Sequence, residues 1–287
     1  MSNNAGNIKR TFMPGDEWLF FKLYCGVKTC DSLIVDKILP LAHRLLEKKI
    51  IVAWFFIRYS DPDFHLRVRF LLRSINDFGD VVTLARKQLS PFVKNCEVYK
   101  VVIDTYQREI ERYGAKHIEL SERVFHAGSE CVAAILKLSF DNPAMRWKAS
   151  FLLVDSLLSS LGLDLERKMA LVEEMNGSFL REFKFNIHNS KSLNEAYRKK
   201  RNTVSDIIQG NNLDDRTLSI SKSIKTYTNT VAAIIGESPW NKLNIPSYIH
   251  MEMNRLFASN NRLNEMVVYN FLTRYYKSEI AKAKLRD

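Results

Sequence analysis

The sequence predicts an α+β protein in which a small sheet comes first and helices make up the rest of the chain. Two observations support this prediction. Up to residue 104, short runs of β-branched and aromatic residues alternate with segments whose apolar residues recur at helical spacing. Beyond residue 104 the apolar residues keep the helical spacing almost to the end of the chain. We find no internal repeat and no low-complexity segment in either part.

Six elements are predicted in the first part, in the order strand, helix, strand, strand, helix, strand. They are Glu17–Tyr24, Asp31–Lys49 with a kink at Pro40, the two arms of the hairpin Trp54–Phe70, Asn76–Leu89 ended by Ser90 and Pro91, and Cys96–Asp104. This order is that of the ferredoxin-like β-α-β-β-α-β fold. Two helices would cover one face of the sheet and leave the other face for a partner.

The second part is predicted to be nearly all helix. The helices are Gln107–Arg112, Ile118–Leu138, Met145–Leu161, Asp164–Lys184, Thr217–Ile235, Pro246–Phe257 and Leu263–Lys284, with polar segments around Asn186–Arg201 and Gly210–Asp215. Too little linker separates the two parts for independent domains. We therefore expect a flexible N-terminus at residues 1–16, a ferredoxin-like portion at 17–104 and a helical portion at 105–287, with the two portions packed as a single domain.

The composition is that of an ordinary globular protein, with 46% hydrophobic and 26% charged residues. No apolar run reaches the length of about 18 residues that a membrane span needs, and the N-terminus lacks the apolar core of a signal peptide. We therefore expect a cytoplasmic protein. Its four cysteines are expected to be reduced thiols, and their spacing predicts neither a metal site nor another cofactor.

The net charge of +11 would suit nucleic acid, an acidic peptide or a small anionic group. The basic residues are spread along the predicted helices, apart from Arg198–Arg201 and the C-terminal tail. Since neither zinc-finger spacing nor an RNP-type aromatic motif is present, we do not expect direct binding of nucleic acid. Solvated helix faces are the simpler interpretation of both basic clusters.

The hairpin Trp54–Phe70, WFFIRYSDPDFHLRVRF, carries a row of basic side chains. In its second arm, alternation places His65, Arg67 and Arg69 on one face and the intervening apolar residues on the other. Arg58 in the first arm is expected to join the row. Two guanidiniums two residues apart on a strand form a fork for a carboxylate or an enolate oxygen. The alternative is that they pair with acids of neighbouring helices or extend to solvent.

The stretch Tyr106–Gly114, YQREIERYG, is predicted to be a helix. On it Tyr106 and Glu109 would share one face with Tyr113, while Arg112 would lie on another. The alternative without a functional role is a solvated helix whose arginines pair with the neighbouring glutamates. Taken alone, this stretch leaves the two interpretations open.

The late stretch Ile245–Phe257, IPSYIHMEMNRLF, is predicted to be a helix that projects Ser247, His250 and Asn254 from one face. Because a histidine ordinarily titrates near neutral pH, His250 is a candidate for proton transfer. The alternative is a histidine that only packs.

Together, in this order and spacing, these stretches resemble the C-terminal elimination domain of lantibiotic dehydratases, also called the thiopeptide-type bacteriocin biosynthesis domain. The matching pieces run from about residue 17 to residue 284 and are WLFFKLY, WFFIRYSDPDFHLRVRF, DTYQREIERYG, ELSERVF and HMEMNRLF. The stretch RYSDPDFHLRVR, followed by RYG and a late HMEMNR, makes the resemblance specific.

The resemblance implies an activity and its partners. In the family, a separate N-terminal domain uses glutamyl-tRNA to esterify Ser or Thr of a precursor peptide, which consists of a leader and a core. The domain seen here then removes glutamate by β-elimination and leaves dehydroalanine or dehydrobutyrine. Since this sequence lacks the glutamylation domain, the resemblance implies a stand-alone lyase that works beside a separate glutamyl-tRNA-dependent glutamylation protein. The oligomeric state stays open, a homodimer included.

The resemblance also assigns roles to residues. It implies that Arg67 or Arg69, together with Arg112, holds the glutamyl carboxylate or the enolate, and that His250 acts as base or as acid. The supporting residues that would bind the substrate are Arg58, His65, Tyr106, Glu109, Asn254 and Arg255. We expect the three arginines and His250 to converge on one pocket over the open face of the sheet.

Two departures from the family pattern leave alternatives. Ala115 stands where the family usually has a second glycine, and Gly128 stands where it commonly has an acid beside Ser129. In the same superfamily, thiopeptide pyridine synthases use the fold for a [4+2] cycloaddition of two dehydroalanines. A cycloaddition of this kind, or a non-catalytic role in binding the precursor peptide, is therefore the alternative to elimination.

Overall fold

The computed structural model of the chain describes residues 8–185, 187–236 and 244–285. Its strands are β1 (Thr11–Phe12), β2 (Trp18–Cys25), β3 (Ile51–Ser60), β4 (Phe64–Leu72), β5 (Val98–Asp104) and β6 (Tyr106–Gln107). Its helices are α1 (Val27–Leu33), α2 (Leu39–Glu47), α3 (Phe78–Lys94), α4 (Ile110–Tyr113), α5 (Ile118–Leu138), α6 (Pro143–Ser160), α7 (Leu165–Glu182), α8 (Ile187–Gln209), α9 (Asp215–Ile235), α10 (Ile245–Leu256) and α11 (Asn261–Lys284). The protein is therefore α+β, as predicted.

Four strands form one antiparallel sheet in the order β3-β4-β2-β5. On one face Leu66, Val68 and Phe70 of β4 are fully buried, and α1, α2 and α3 pack on that side of the sheet. The hydrophobic effect explains this arrangement, because each of these helices has an apolar stripe that only the sheet can cover. The short strands β1 and β6 pair with each other beside the main sheet.

The opposite face of the sheet is covered over only part of its area. Phe125 of α5 packs against Phe55 with ring centroids 5.4 Å apart, and Tyr106 of β6 packs against Trp18 at 5.6 Å. Tyr59, at the other end of this face, is exposed. The prediction that this whole face is left for a partner is therefore wrong for the part that lies under α5 and β6.

The helices that follow β6 pack on one another and on the edge of the sheet. α5 packs against α9 and β3, α7 packs against α11, and α10 lies between α5 and β3. Aromatic rings fill the space between α6 and α11, where Phe151 stacks on Phe271 with centroids 6.2 Å apart. Among the described residues, no helix combines the length and the apolar character that crossing a membrane requires.

Two predicted helices have different limits in the structure. The segment predicted as one helix at 31–49 is α1 and α2 joined by a π-helical turn, and Pro40 stands in the first turn of α2. Proline cannot donate the hydrogen bond that a continuous helix needs, and the wider turn before it accommodates this. Pro91 does not end α3, which continues to Lys94. The buried stripe of α3 includes Phe92, so packing against the core favours one more turn.

Two other predictions were wrong because tertiary contacts outweigh local sequence. The helix predicted at 107–112 begins only at Ile110, because Tyr106–Gln107 pair with Thr11–Phe12 as strands. That pairing also places part of the predicted flexible N-terminus in a strand. The polar segment around 186–201, which was not predicted as a helix, belongs to helix α8 from residue 187 onward, and residue 186 lies outside the described residues. Leu193 and Val204 anchor this helix, because they are buried although most of its residues are polar.

Candidate functional site

A pocket of about 580 Å³ lies over the partly covered face of the sheet and collects the strand arginines. β2, β4 and β5 supply its floor, and the segment from β6 to α4 supplies its wall. The charged side chains that line it are Arg10, Lys22, Arg67, Arg69, Asp104, Arg108, Glu109, Glu111 and Arg112. Cations outnumber carboxylates by six to three in this set, so the pocket favours an anion.

Arg69 is buried between aromatic rings in the floor of this pocket. Only 6% of the residue is exposed, and its guanidinium carbon lies 4.3 Å from the ring centre of Phe20, 5.0 Å from Phe55 and 4.7 Å from Tyr106. The guanidinium makes no hydrogen bond within the described residues, and its Nε is fully buried. Burial lowers the pKa of Arg69 to about 10, so the side chain still carries its charge at neutral pH.

Arg67 is half-buried and is held by its neighbours. Its guanidinium stacks 3.4 Å from the ring centre of Tyr59, and its Nε donates to Nε2 of His65 at 3.0 Å. His65 in turn donates from Nδ1 to the carbonyl of Asp63 at 2.8 Å. These two bonds require the neutral imidazole, and burial lowers the pKa of His65 in agreement with them. His65 therefore orients the guanidinium of Arg67.

Arg112 lies at the junction of two pockets. Its Nε donates to Oγ of Ser247 on α10 at 2.8 Å, and a weaker contact of 3.4 Å joins its terminal nitrogen to Glu109. It lines the large pocket and also a second pocket of about 330 Å³ between α7, α10 and α11. Two of the three arginines thus project from one strand, and the third reaches them from α4.

His250 lines the second pocket together with Glu265. Its Nδ1 lies 2.9 Å from Oε2 of Glu265, and Glu265 also accepts a hydrogen bond of 2.6 Å from the hydroxyl of Tyr269. Because a carboxylate only accepts, Nδ1 carries the hydrogen and Nε2 is left as the basic nitrogen. The expectation of one common pocket is therefore wrong for His250, which is separated from the strand arginines by Arg112.

Three residues expected at the substrate instead hold the fold together. Arg58 does not join the basic row, because its pairing with Leu66 places it on the opposite face, where it donates to Asp31 at 2.6 Å. Asn254 bonds the backbone of Arg58 in both directions, at 2.9 and 3.0 Å. Arg255 is fully buried and donates from Nε to the carbonyl of Phe56 at 2.8 Å.

Tyr106 and Glu109 lie beside the buried arginine, although not on one helical face as predicted. The ring of Tyr106 packs on Arg69, and its hydroxyl donates to Glu122 at 2.8 Å. Glu122 also receives two hydrogen bonds from the buried guanidinium of Arg108, at 2.8 and 2.7 Å. Glu109 lines the large pocket and the small cavity beside Arg69.

The space beside Gly128 is occupied by a carboxylate from a different helix. A side chain on Gly128 would overlap the carboxylate of Glu252, because a Cβ there would lie 2.7 Å from its Cδ. Glu252 is buried and pairs with Arg255 at 2.9 Å, and burial raises its pKa. A buried carboxylate therefore occupies this space, supplied by α10 instead of α5.

Sequence reasoning missed several partners of the candidate residues. Glu265, Glu122 and Arg108 were not predicted to touch the site, and Ser247 was predicted beside His250 but not as the partner of Arg112. Glu265 and His250 lie on different helices, so no periodicity connects them. The HMEMNR stretch carried one usable signal, because the isolated Glu252 among apolar residues of a buried helix indicates an internal ion pair.

Comparison with known families gives a match over most of the chain. A family model described as "Lantibiotic biosynthesis dehydratase C-term" matches residues 18–276. The subtilin biosynthesis protein SpaB of Bacillus subtilis is 30% identical over 184 residues, which are 61% of this chain and 17% of that protein. The nisin biosynthesis protein NisB of Lactococcus lactis subsp. lactis is 26% identical over 94% of this chain and 26% of that protein. The chain thus spans about a quarter or less of the length of these relatives.

Solved structures share the fold. The tRNA-dependent lantibiotic dehydratase MibB from Microbispora sp. 107891 superposes with a TM-score of 0.70 at 17% identity, over 94% of this chain and 29% of that one. The pyridine synthase TbtD from thiomuracin biosynthesis superposes with a TM-score of 0.66 at 11% identity, over 92% of this chain and 98% of that one. At these identities the likeness shows the fold alone.

Proposed function

Because this chain belongs to the family of lantibiotic biosynthesis dehydratase C-terminal domains, we propose that it eliminates glutamate from glutamylated Ser or Thr of a precursor peptide. The family places the chain in the biosynthesis of ribosomally made, modified peptides. The products of the proposed reaction are dehydroalanine and dehydrobutyrine. A glutamylation activity that uses glutamyl-tRNA would supply the ester.

The observation that carries the proposal is the buried guanidinium of Arg69. A charge enclosed by three rings without a hydrogen-bonded partner in the described residues is costly, unless a ligand supplies the partner. A carboxylate matches the planar fork of a guanidinium, and Arg67 offers a second fork two residues away. The glutamyl group carries such a carboxylate.

The reaction requires charge stabilisation and proton transfer. Elimination breaks the Cα–H bond and the Cβ–O bond of the esterified residue, forms the Cα=Cβ double bond and releases glutamate as a carboxylate. Arg67, Arg69 and Arg112 would stabilise the negative charge that develops on the enolate and on the departing glutamate. The Nε2 of His250 would take the α-proton or protonate the leaving group. The substrate would then lie across Arg112, between the two pockets.

A peptide with glutamylated serine provides the direct test. Wild-type protein is expected to remove each glutamyl group, which mass spectrometry records as loss of glutamic acid from the ester. His250→Ala is expected to leave the glutamyl adducts in place. Lys87→Ala on the exposed side of α3 serves as the control and should behave as wild type. Wild-type protein that releases no glutamate from this peptide would contradict the proposal.

A pyridine-forming cycloaddition is the second candidate, and one observation favours it. The pyridine synthase TbtD is matched over 98% of its own length, so the same fold occurs in a protein of that activity. A peptide that already carries two dehydroalanines tests this candidate, with release of the leader segment as the readout. If the protein converts this peptide and does not react with the glutamylated one, cycloaddition and not elimination is its function.

We also propose that β2 to β5 with α1 to α3 form a ferredoxin-like portion, and that it packs with the helical portion as one domain. The strand order and the order of elements support the first part. The second is supported by α5 and α10, whose side chains bond the edge of β3. A fragment of residues 8–104 should therefore fail to unfold cooperatively in urea. A cooperative transition in that fragment would show that the sheet is a domain in its own right.

A further inference from the structure

The two edges of the four-stranded sheet differ in whether their outward-facing backbone groups are already hydrogen-bonded. At the β3 edge, side chains from α5 and α10 occupy the backbone groups that face outward. Oγ of Ser129 accepts from the N–H of Phe56 at 3.2 Å, Arg255 donates to the carbonyl of Phe56, and Asn254 bonds both backbone groups of Arg58. This edge is therefore closed to another strand.

The β5 edge has no such cover. Within the described residues, β2 is the strand that pairs with β5, and no side chain hydrogen-bonds the backbone of Val98–Asp104. The residues in the middle of the strand are exposed, including 59% of Tyr99 and 40% of Val101. Proteins usually protect such an edge, because it presents a row of backbone donors and acceptors to any extended chain. An edge left open beside an apolar and aromatic surface is suited to strand addition.

β5 also leads into the large pocket. Its last residue, Asp104, lines that pocket, as do Thr105 and Gln107 immediately after it. At about 3.3 Å per residue, the strand spans about 20 Å from Val98 to this pocket. A chain paired with β5 would therefore run along the sheet and end beside the arginines.

The side chains on the pocket side of β5 indicate the chemistry of the partner. Lys100 is exposed, stands opposite Tyr24 of β2 and lies over its ring with Nζ 5.1 Å from the centre. A side chain on a fifth strand opposite Lys100 would point to the same face, within reach of its charge. An acidic residue at that position matches the ammonium group and the net charge of +11.

We propose that the β5 edge binds the peptide substrate as a fifth strand, with an acidic residue beside Lys100, and delivers the residue to be modified into the pocket. This inference rests on the proposed function, because it takes the substrate to be a peptide. It adds where the peptide lies outside the pocket and which backbone and side-chain groups recognise it.

Backbone methylation of a synthetic peptide tests the pairing. The probe is a fluorescein-labelled peptide in which an alternating segment of Val, Thr and Asp precedes a serine. Two derivatives carry N-methyl groups, one on the odd and one on the even positions of that segment. In an added strand only alternate N–H groups face β5, so one derivative is expected to bind at least about tenfold more weakly, from the loss of two or three hydrogen bonds. The other derivative should bind within about twofold of the parent peptide, as measured by fluorescence anisotropy.

Charge exchange tests the position of Lys100. Lys100→Glu should weaken binding of the Asp peptide several-fold and strengthen binding of a peptide with Lys in place of Asp. Lys87→Glu makes the same charge reversal on the exposed side of α3 and should change neither affinity. Equal effects of the two methylated derivatives would overturn the proposal, because they would indicate recognition without strand pairing. It would also be overturned if sedimentation showed a dimer that Lys100→Glu dissociates, because a second copy would then occupy the edge.

Glutamate release is read separately, so the two proposals can fail independently. If the wild-type protein removes glutamate from an esterified form of the probe while methylation of either set is without effect, only the docking proposal fails. If one methylated set weakens binding and no glutamate is released, only the proposed elimination fails.

Discussion

Replacement of Arg69 by methionine should abolish activity without destabilising the protein. At neutral pH the side chain is charged in both the folded and the unfolded protein. Burial lowers its pKa to about 10, well below the ordinary value of an arginine, and each pKa unit corresponds to about 1.4 kcal/mol, so the buried charge costs about 3 kcal/mol. This cost is fully present below about pH 10 and is lost as the pH rises above the folded-state pKa, because the folded protein then releases the proton while the unfolded chain still holds it.

The contacts with three rings offset part of this cost. A cation–π contact contributes about 0.5–2 kcal/mol, and methionine would replace some of that through contacts of its sulfur with the same rings. Arg69→Met should therefore change the free energy of unfolding by between about 0 and 2 kcal/mol, in the stabilising direction. Glutamate release should nevertheless be lost, because the variant cannot hold a carboxylate.

Arg108 provides the matched control, because it is equally buried but forms an ion pair with Glu122 at 2.7 Å. Arg108→Met leaves that carboxylate buried without its partner, which should destabilise the protein by about 3–5 kcal/mol. Urea unfolding measures both variants, and the midpoint and slope are compared with those of the wild type. If Arg69→Met lost as much stability as Arg108→Met, or if it still released glutamate, the interpretation that the charge of Arg69 serves to bind a ligand would be wrong.

Three further predictions concern other parts of the site. Glu265→Gln should lower kcat for glutamate release by about tenfold or more with little change in KM, because the neutral amide no longer stabilises a protonated His250; an unchanged kcat would remove Glu265 from the mechanism. Gly128→Ala should destabilise the protein by about 1–3 kcal/mol, because the added methyl group crowds Glu252. The double variant Gly128→Asp with Glu252→Ala should be more stable in thermal unfolding than either single variant; if the losses of stability in the two single variants simply add in the double variant, this prediction is wrong. The pKa of His65 is lowered in the folded protein, so the unfolded chain binds a proton first as the pH falls, and the free energy of unfolding should decline below about pH 6.5. His65→Gln should make this decline smaller in urea titrations at several pH values, and an equal dependence on pH in both proteins would contradict the prediction.

Local patterns were sufficient for several elements of the fold. The hairpin at 54–70 was predicted because a turn signal separates two runs of β-branched and aromatic residues, and β3 and β4 form there. The helix at 118–138 was predicted with the limits it has, since its apolar period is long and unbroken. Predicted and observed secondary structure agree less well where a segment pairs with a distant part of the chain. Tyr106–Gln107 form a strand with residues 11–12, and this pairing cannot be derived from the residues nearby.

The alternation of side chains correctly predicted that the basic residues of β4 share one face, but it did not predict how deeply each is buried or what each contacts. Arg67 and Arg69 point to the same face, as the period of two requires. The sequence could not distinguish the half-buried Arg67, stacked on Tyr59, from the enclosed Arg69, because the rings around Arg69 come from three strands. Arg58 was assigned to the wrong face, because alternation within one arm does not give the register between the two arms.

The sequence by itself determined the class of the fold, the family and the residue types that carry charge, because these follow from composition, periodicity and short motifs. Only the tertiary structure decided which charges have partners. Arg58, Arg108 and Arg255 each bond a carboxylate of the protein, whereas Arg69 makes no hydrogen bond within the described residues. The physical reason is that Asp31 and Glu122 reach Arg58 and Arg108 from other elements through packing, which local sequence does not specify, whereas the pair of Glu252 and Arg255 lies within one helix and is the one that local sequence indicates.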